Sequence, residues 1–95
     1  MDQADRDRKR AWKAQMRDAS RAAFPVPDEL LKSLFASVED DVETIGCDHS
    51  MRFTEEWIAQ SKQSREPLIA WLKENGGYCD CEVVANARDH WEQNR

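Results

Sequence analysis

Gly76-Gly77-Tyr78-Cys79-Asp80-Cys81-Glu82-Val83-Val84 is the stretch on which the fold class turns. Its polar and apolar residues alternate, and it ends in two β-branched valines, which favours a short strand from Tyr78 to Val84. The competing reading runs the segment on through Ala85–Trp91 as a helix, with Val84, Ala87 and Trp91 on one face. Alternation carries the preference to the strand. Ser50-Met51-Arg52-Phe53 is then the segment to pair with it. The expected class is therefore α+β: a mostly helical small domain with a two-stranded ribbon.

Upstream, the helical signals are stronger. Leu30, Leu31, Leu34, Phe35, Val38, Val42 and Ile45 keep helical spacing and predict a core helix over about residues 27–44. Pro27, Asp28 and Glu29 suit its first turn, and Gly46 suits its stop. A short helix is expected after Thr54, with Thr54 as cap, Glu55 and Glu56 in the first turn, and Phe53 stapled to Ile58. Ser64 caps a further helix over 65–75 carrying Leu68, Ile69, Trp71 and Leu72, stopped by Asn75-Gly76-Gly77.

The first 24 residues differ in charge from the rest. Seven basic residues stand against four acidic ones there, net +3, and with −5 for the whole chain the remainder carries −8. Trp12, Met16, Ala19 and Ala23 fall on one helical face, and Phe24-Pro25-Val26-Pro27 ends the pattern. About the first eight residues lack apolar groups and are expected to fray. The expected organisation is a charged N-terminal helix or tail over 1–24 and one small globular domain over 25–95.

With 95 residues, 40% apolar and 35% charged, the chain has material for one small core. It has no apolar run long enough to span a membrane. MDQADRDRKR has no apolar segment behind its charges, so no secretory signal is expected and the expected location is cytoplasmic. Three cysteines are an odd number, which speaks for metal ligation or free thiols over a disulfide framework.

Two motifs carry chemistry. Cys47-Asp48-His49 is a C-x-H and Cys79-Asp80-Cys81 a C-x-C, with 29 residues between them. Three thiols and an imidazole make a Cys₃His set suited to tetrahedral zinc. Residues i and i+2 share a face only in extended or turned backbone, since in a helix they diverge by about 200°. All three glycines, Gly46, Gly76 and Gly77, lie just before these motifs, where the chain must leave a helix sharply. Cys47, His49, Cys79 and Cys81 are the candidate ligands, with Asp48 and Asp80 as solvated or outer acceptors. The bland alternative is half-buried free thiols and a loop histidine.

Cys47-Asp48-His49-Ser50-Met51-Arg52-Phe53-Thr54, then Trp57, Trp71-Leu72 and Gly76-Gly77-Tyr78-Cys79-Asp80-Cys81-Glu82-Val83, together resemble a family of small bacterial proteins called domain of unknown function 2695. The resemblance covers roughly Leu30 to Asn86. Ser50 and Met51 stand where that family usually has Thr and Leu. The family brings no activity to transfer. It implies that both Cys/His motifs and Arg52-Phe53-Thr54 belong to one unit.

Three functions compete. The first is a zinc-binding structural or interaction module acting through protein contacts, with an unknown protein partner or self-association through the Trp12/Met16 face. Its contact surface would include Trp57, Trp71 or Trp91, residues that more commonly serve as core. The second is a nucleic-acid-binding regulator using the basic residues 6–21, disfavoured by the acidic remainder. The third is a thiol-based redox sensor, which needs a lowered thiolate pKa; Asp48, Asp80 and Glu82 are expected to raise it instead. Catalysis is disfavoured, since Cys47 and His49 are too close in sequence for the usual facing pair. Arg52 is expected to pair with Glu55, Glu56 or Glu82, Asn86 to close a turn, and His90 to lie at the surface.

Overall fold

In the computed structural model, which describes residues 3–95 with side chains from Asp7 onward, every regular element is helical. In order these are α1 (Gln3–Ala22), α2 (Asp28–Thr44), α3 (Arg52–Gln60), α4 (Arg65–Glu74) and α5 (Asp80–Glu82). A π-helical turn (Val83–Ala87) then joins α5 to α6 (Arg88–Asn94). Among the described residues there is no strand, so the expected α+β class and its two-stranded ribbon are corrected to an all-helical fold.

The physical reason lies in the first turn after Cys79. Cys79 is extended (φ −144°, ψ 170°), and helical backbone starts at Asp80 with Asp80 and Glu82 in the first turn, where acids complement the helix dipole. From Val83 the apolar residues Val83, Ala87 and Trp91 recur every four positions, and all three are buried. The Arg88 amide donates to the Val83 carbonyl, the wider bond of a π turn. Ser50-Met51 and Cys79-Asp80 do meet, through one backbone bond from the Asp80 amide to the Ser50 carbonyl at 2.9 Å. The meeting is between two helix starts, not two strands.

Helix α2 supplies the centre of the core with Leu31, Leu34, Phe35 and Val38. It packs against α3, α5 and the π turn, while α4 packs against α3 and the π turn. Phe53, Trp57 and Ile58 of α3, Leu68, Ile69, Trp71 and Leu72 of α4, and Val83, Ala87 and Trp91 complete the core. Trp57, Trp71 and Trp91 are therefore packing residues and offer no contact surface. The Trp91 indole donates to Asp28 Oδ1 at 2.8 Å and its ring packs on Phe35 with centroids 5.3 Å apart, fastening the last helix to the first turn of α2. His90 is half-buried, edge-on to Trp71.

Two boundaries differ from expectation. Helix α3 begins at Arg52, with Met51 at the cap position, so Thr54 lies inside the first turn. Helix α1 begins at Gln3, so no frayed segment occupies residues 3–8; the first two residues lie outside the described residues. Helix α1 lies against α6, where the Arg21 Nε donates to the Asn94 carbonyl at 3.4 Å. From Asp7 to Ala19 it is exposed on all sides. That projecting helix accounts for a longest dimension of 52 Å against 24 and 19 Å for the others.

Candidate thiol site

Helix α2 ends at Thr44 with Ile45 as its cap, and Gly46 turns the chain at φ +98°, a left-handed conformation open to glycine. The loop that follows is held by its own polar groups. Asp48 Oδ1 accepts from the Ser50 amide at 3.0 Å and from the Ser50 hydroxyl. Arg52 pairs with Asp48 at 3.6 Å and donates to the Gly46 carbonyl at 3.4 Å. Its guanidinium carbon lies 4.5 Å from the centre of the Phe53 ring. Arg52 thus braces the loop, and its partner is Asp48 rather than Glu55, Glu56 or Glu82. His49 sits at φ +69°, and its amide donates to the Cys47 sulfur at 3.3 Å.

The second segment is placed by Gly76 (φ +86°), Gly77 and Asn86. Asn86 Nδ2 donates to the Gly76 carbonyl at 3.0 Å, tying the π turn back to the preceding bend. A Cβ on Gly77 would stand 3.0 Å from both the Leu72 carbonyl oxygen and Val83 Cγ2, so only glycine lets α4 and the π turn approach this closely.

Asp80 joins the two segments. It is 0% exposed. Its carboxylate accepts from the Phe53 amide at 3.1 Å, the Thr54 amide at 3.1 Å and the Thr54 hydroxyl at 2.8 Å. The orphan N–H groups at the start of α3 are thus satisfied by an acid from another helix, since Met51 supplies no side-chain cap. The sequence reading placed Asp80 as a solvated or outer acceptor and missed this role. Its one signal in the sequence is an acid held between the two cysteines of the C-x-C.

With the segments clamped, the three thiols meet. Cys79 is buried, Cys47 half-buried and Cys81 exposed, and none is in a disulfide. Burial pushes the Cys47 thiol up. Hydrogen bonds from the Cys81 and His49 amides and from the Cys81 and Cys79 thiols outweigh that, so its pKa falls below the ordinary value. Burial raises Cys79, opposed by the Glu82 amide and helped by Cys47. Cys81 is pushed up to about 11, first by its hydrogen bond to Cys47, then by burial and by the charges of Cys47, Cys79 and Asp80. The arrangement favours one thiolate, on Cys47, with two neighbouring thiols as donors. The expectation that nearby acids raise every thiol holds for Cys81 with Asp80 and fails for Cys47, where backbone amides prevail.

Of the four residues expected as ligands, Cys47, Cys79 and Cys81 come together. The His49 side chain is exposed, and among the described residues its ring makes no hydrogen bond. Among those residues, too, no three His, Cys, Asp or Glu side chains stand arranged to hold a metal ion.

The fold and site define a small all-helical protein whose three cysteines lie at the junction of two helix starts. The chain belongs to the family described as "Protein of unknown function (DUF2695)", whose model matches residues 34–86. That span holds all three cysteines, His49 and Asp80, and leaves out α1 and α6. Uncharacterized proteins of Mycobacterium tuberculosis and Mycobacterium bovis are 34% identical to it over 76 residues, covering 80% of this chain and 77% of theirs. No solved structure matches. No helix among the described residues is long and apolar enough to cross a membrane.

Proposed function

We propose that the chain is a zinc-binding module of the cytoplasm that acts through protein contacts. The observation that carries this reading is the Cys47 sulfur, which accepts the His49 amide at 3.3 Å and whose pKa is lowered by the neighbouring Cys81 and Cys79 from a segment far away in sequence. Amide hydrogen bonds to sulfur stabilise thiolate, the form that binds metal. Cys47, Cys79 and Cys81 are the sulfur ligands in this reading. His49, two residues from Cys47 on an exposed turn, supplies the fourth position by a rotation of its side chain. Zinc is the fitting metal because thiolate and imidazole suit it and it needs no redox partner. Closing the cage would tie the end of α2 to the start of α5, which matters in a domain with so small a core.

Native mass spectrometry on protein purified without chelator tests this. One zinc per chain, lost on chelation together with helicity and with protection of the three thiols, supports it. A metal-free, folded protein with three freely titrating thiols overturns it.

The lowered Cys47 pKa favours a second reading, a peroxide-responsive thiol switch. The Cys47 thiolate would attack hydrogen peroxide, cleaving the O–O bond to leave a sulfenic acid and hydroxide. The Cys79 or Cys81 thiol would then attack that sulfur, forming a disulfide and expelling water. A metal-free protein that forms a Cys47–Cys79 or Cys47–Cys81 disulfide under stoichiometric peroxide supports this reading over zinc.

A further inference from the structure

Helix α1 carries a row of cations. Arg10, Lys13, Arg17 and Arg21 follow one another at helical spacing, which puts all four within an arc of about 80°. All four are exposed. Among the described residues Arg10, Lys13 and Arg17 make no ion pair, and Arg21 donates one hydrogen to the Asn94 carbonyl. The acid of this stretch, Asp18, stands about 100° round the helix from Arg17, so no carboxylate interrupts the row. Lys13 with Arg17, and Arg17 with Arg21, are like charges four residues apart, a spacing that opposes the helix. An extended polyanion along this face removes that repulsion.

The acidic remainder of the chain opposes such a partner only where it lies close. Helix α1 is exposed on all sides from Asp7 to Ala19 and gives the molecule its 52 Å length. At a rise of about 1.5 Å per residue, Lys13 stands about 13 Å and Arg10 about 18 Å along the axis from the end of the helix at Ala22. The Debye length at physiological salt is about 8 Å, so the outer cations stand clear of the body's field. The apolar side points elsewhere: Trp12 and Met16 lie about 140° and 100° round from the centre of the row. A bilayer surface takes such a helix by its apolar side, which here holds two large side chains, and leaves the cations facing water.

We infer that α1 lies along duplex DNA with Arg10, Lys13, Arg17 and Arg21 against its phosphates, without reading sequence. A single helix, about 10–12 Å across, fits the major groove of B-form DNA, about 12 Å wide. The row is about 16 Å long and meets about four phosphates, which makes the binding weak and strongly dependent on salt. Helix α1 lies outside residues 34–86, so this contact is an addition to the unit the family shares. It is independent of the thiol site and of the protein contacts proposed above, and failure of either leaves it standing.

Fluorescence anisotropy of a labelled duplex of about 20 base pairs, titrated with the full chain from about 25 to about 100 mM salt, is the test. The expected result is micromolar binding at the lowest salt that weakens about 100-fold over the fourfold rise, a log–log slope of about −3.6 for four phosphate contacts. R10Q/R17Q should halve that slope and weaken binding at least about tenfold at the lowest salt. W12A/M16A, on the other side of the helix, should leave both unchanged. These positions are exposed and Gln is a good helix former, and circular dichroism confirms that each variant keeps its helicity. No binding at the lowest salt, or binding whose slope R10Q/R17Q does not alter, overturns the inference. So does binding to anionic vesicles without binding to the duplex, which makes the partner a lipid surface. Displacement of the duplex by poly-glutamate at equal charge overturns it too, since the face would then take any acidic chain.

Discussion

Replacing Asp80 by Asn changes one heavy atom and tests the clamp on which both the α3 start and the thiol site depend. The asparagine oxygen can still accept from the Thr54 amide and hydroxyl, now 3.1 and 2.8 Å from Oδ1. Its NH₂ then faces the Phe53 amide, 3.1 Å from Oδ2, donor against donor. One charge-assisted bond is lost, one buried N–H is orphaned, and the remaining bonds weaken to neutral strength. Together these cost about 2–3 kcal/mol. For a domain of this size that lowers Tm by roughly 10–20 °C. Asp80→Ala orphans all three donors and costs about 3–5 kcal/mol, a large share of the 5–15 kcal/mol typical of a whole domain. Asn is therefore the informative variant and Ala the one at risk of not folding.

Urea unfolding followed by the fluorescence of the buried Trp57, Trp71 and Trp91 reads the loss. Thr54→Val alone should cost about 1 kcal/mol, and the double variant should cost less than the sum, because both remove the same hydroxyl–carboxylate bond. An Asp80→Asn protein within about 0.5 kcal/mol of the parent would refute the clamp.

Three further outcomes follow from the same structure. In chelator-treated, reduced protein, iodoacetamide should modify Cys47 first as pH rises from about 7, because its thiolate forms below the ordinary thiol range. Cys81, held up to about 11, should react last although it is the most exposed, and peptide mass spectrometry giving the order of exposure instead would refute the assignment. Gly77→Ala forces a Cβ to within 3.0 Å of the Leu72 carbonyl and the Val83 side chain. It should destabilise by about 1–3 kcal/mol, seen as a shifted urea midpoint. Trp91→Phe keeps the packing on Phe35 and loses the indole bond to Asp28, so thermal melts should show a loss of about 1–2 kcal/mol.

Much of the helical skeleton was legible because burial imposed a period on the sequence. Leu31, Leu34, Phe35 and Val38 line the core at the spacing read for α2, and Leu68, Ile69, Trp71 and Leu72 do so for α4. Residues 78–84 were misread because a helix start can imitate a strand. Cys79 is extended, Asp80 is buried for a polar reason, and the alternation stops once Val83 enters the π turn. β-propensity there was a local preference without a partner strand, and the Val83–Ala87–Trp91 face against α2 prevailed over it.

The thiol cluster was half legible for a related reason. The rule that i and i+2 can act together only in non-helical backbone is met at the C-x-C because Cys79 stands just outside the helix and Cys81 just inside it. Spacing alone could not reveal the residue between them. Asp80 points the opposite way, into the start of α3, so the motif has a sulfur side and a carboxylate side. The carboxylate holds α3, and the Asp80 backbone amide, donating to the Ser50 carbonyl, holds the end of the Cys47 loop. The alternation that looked like a strand is therefore the alternation of two tasks, one of packing and one of chemistry. A perturbation of either side should be felt at the other: Asp80→Asn should loosen the Cys47–Cys81 contact and bring the Cys81 thiol back toward its ordinary pKa.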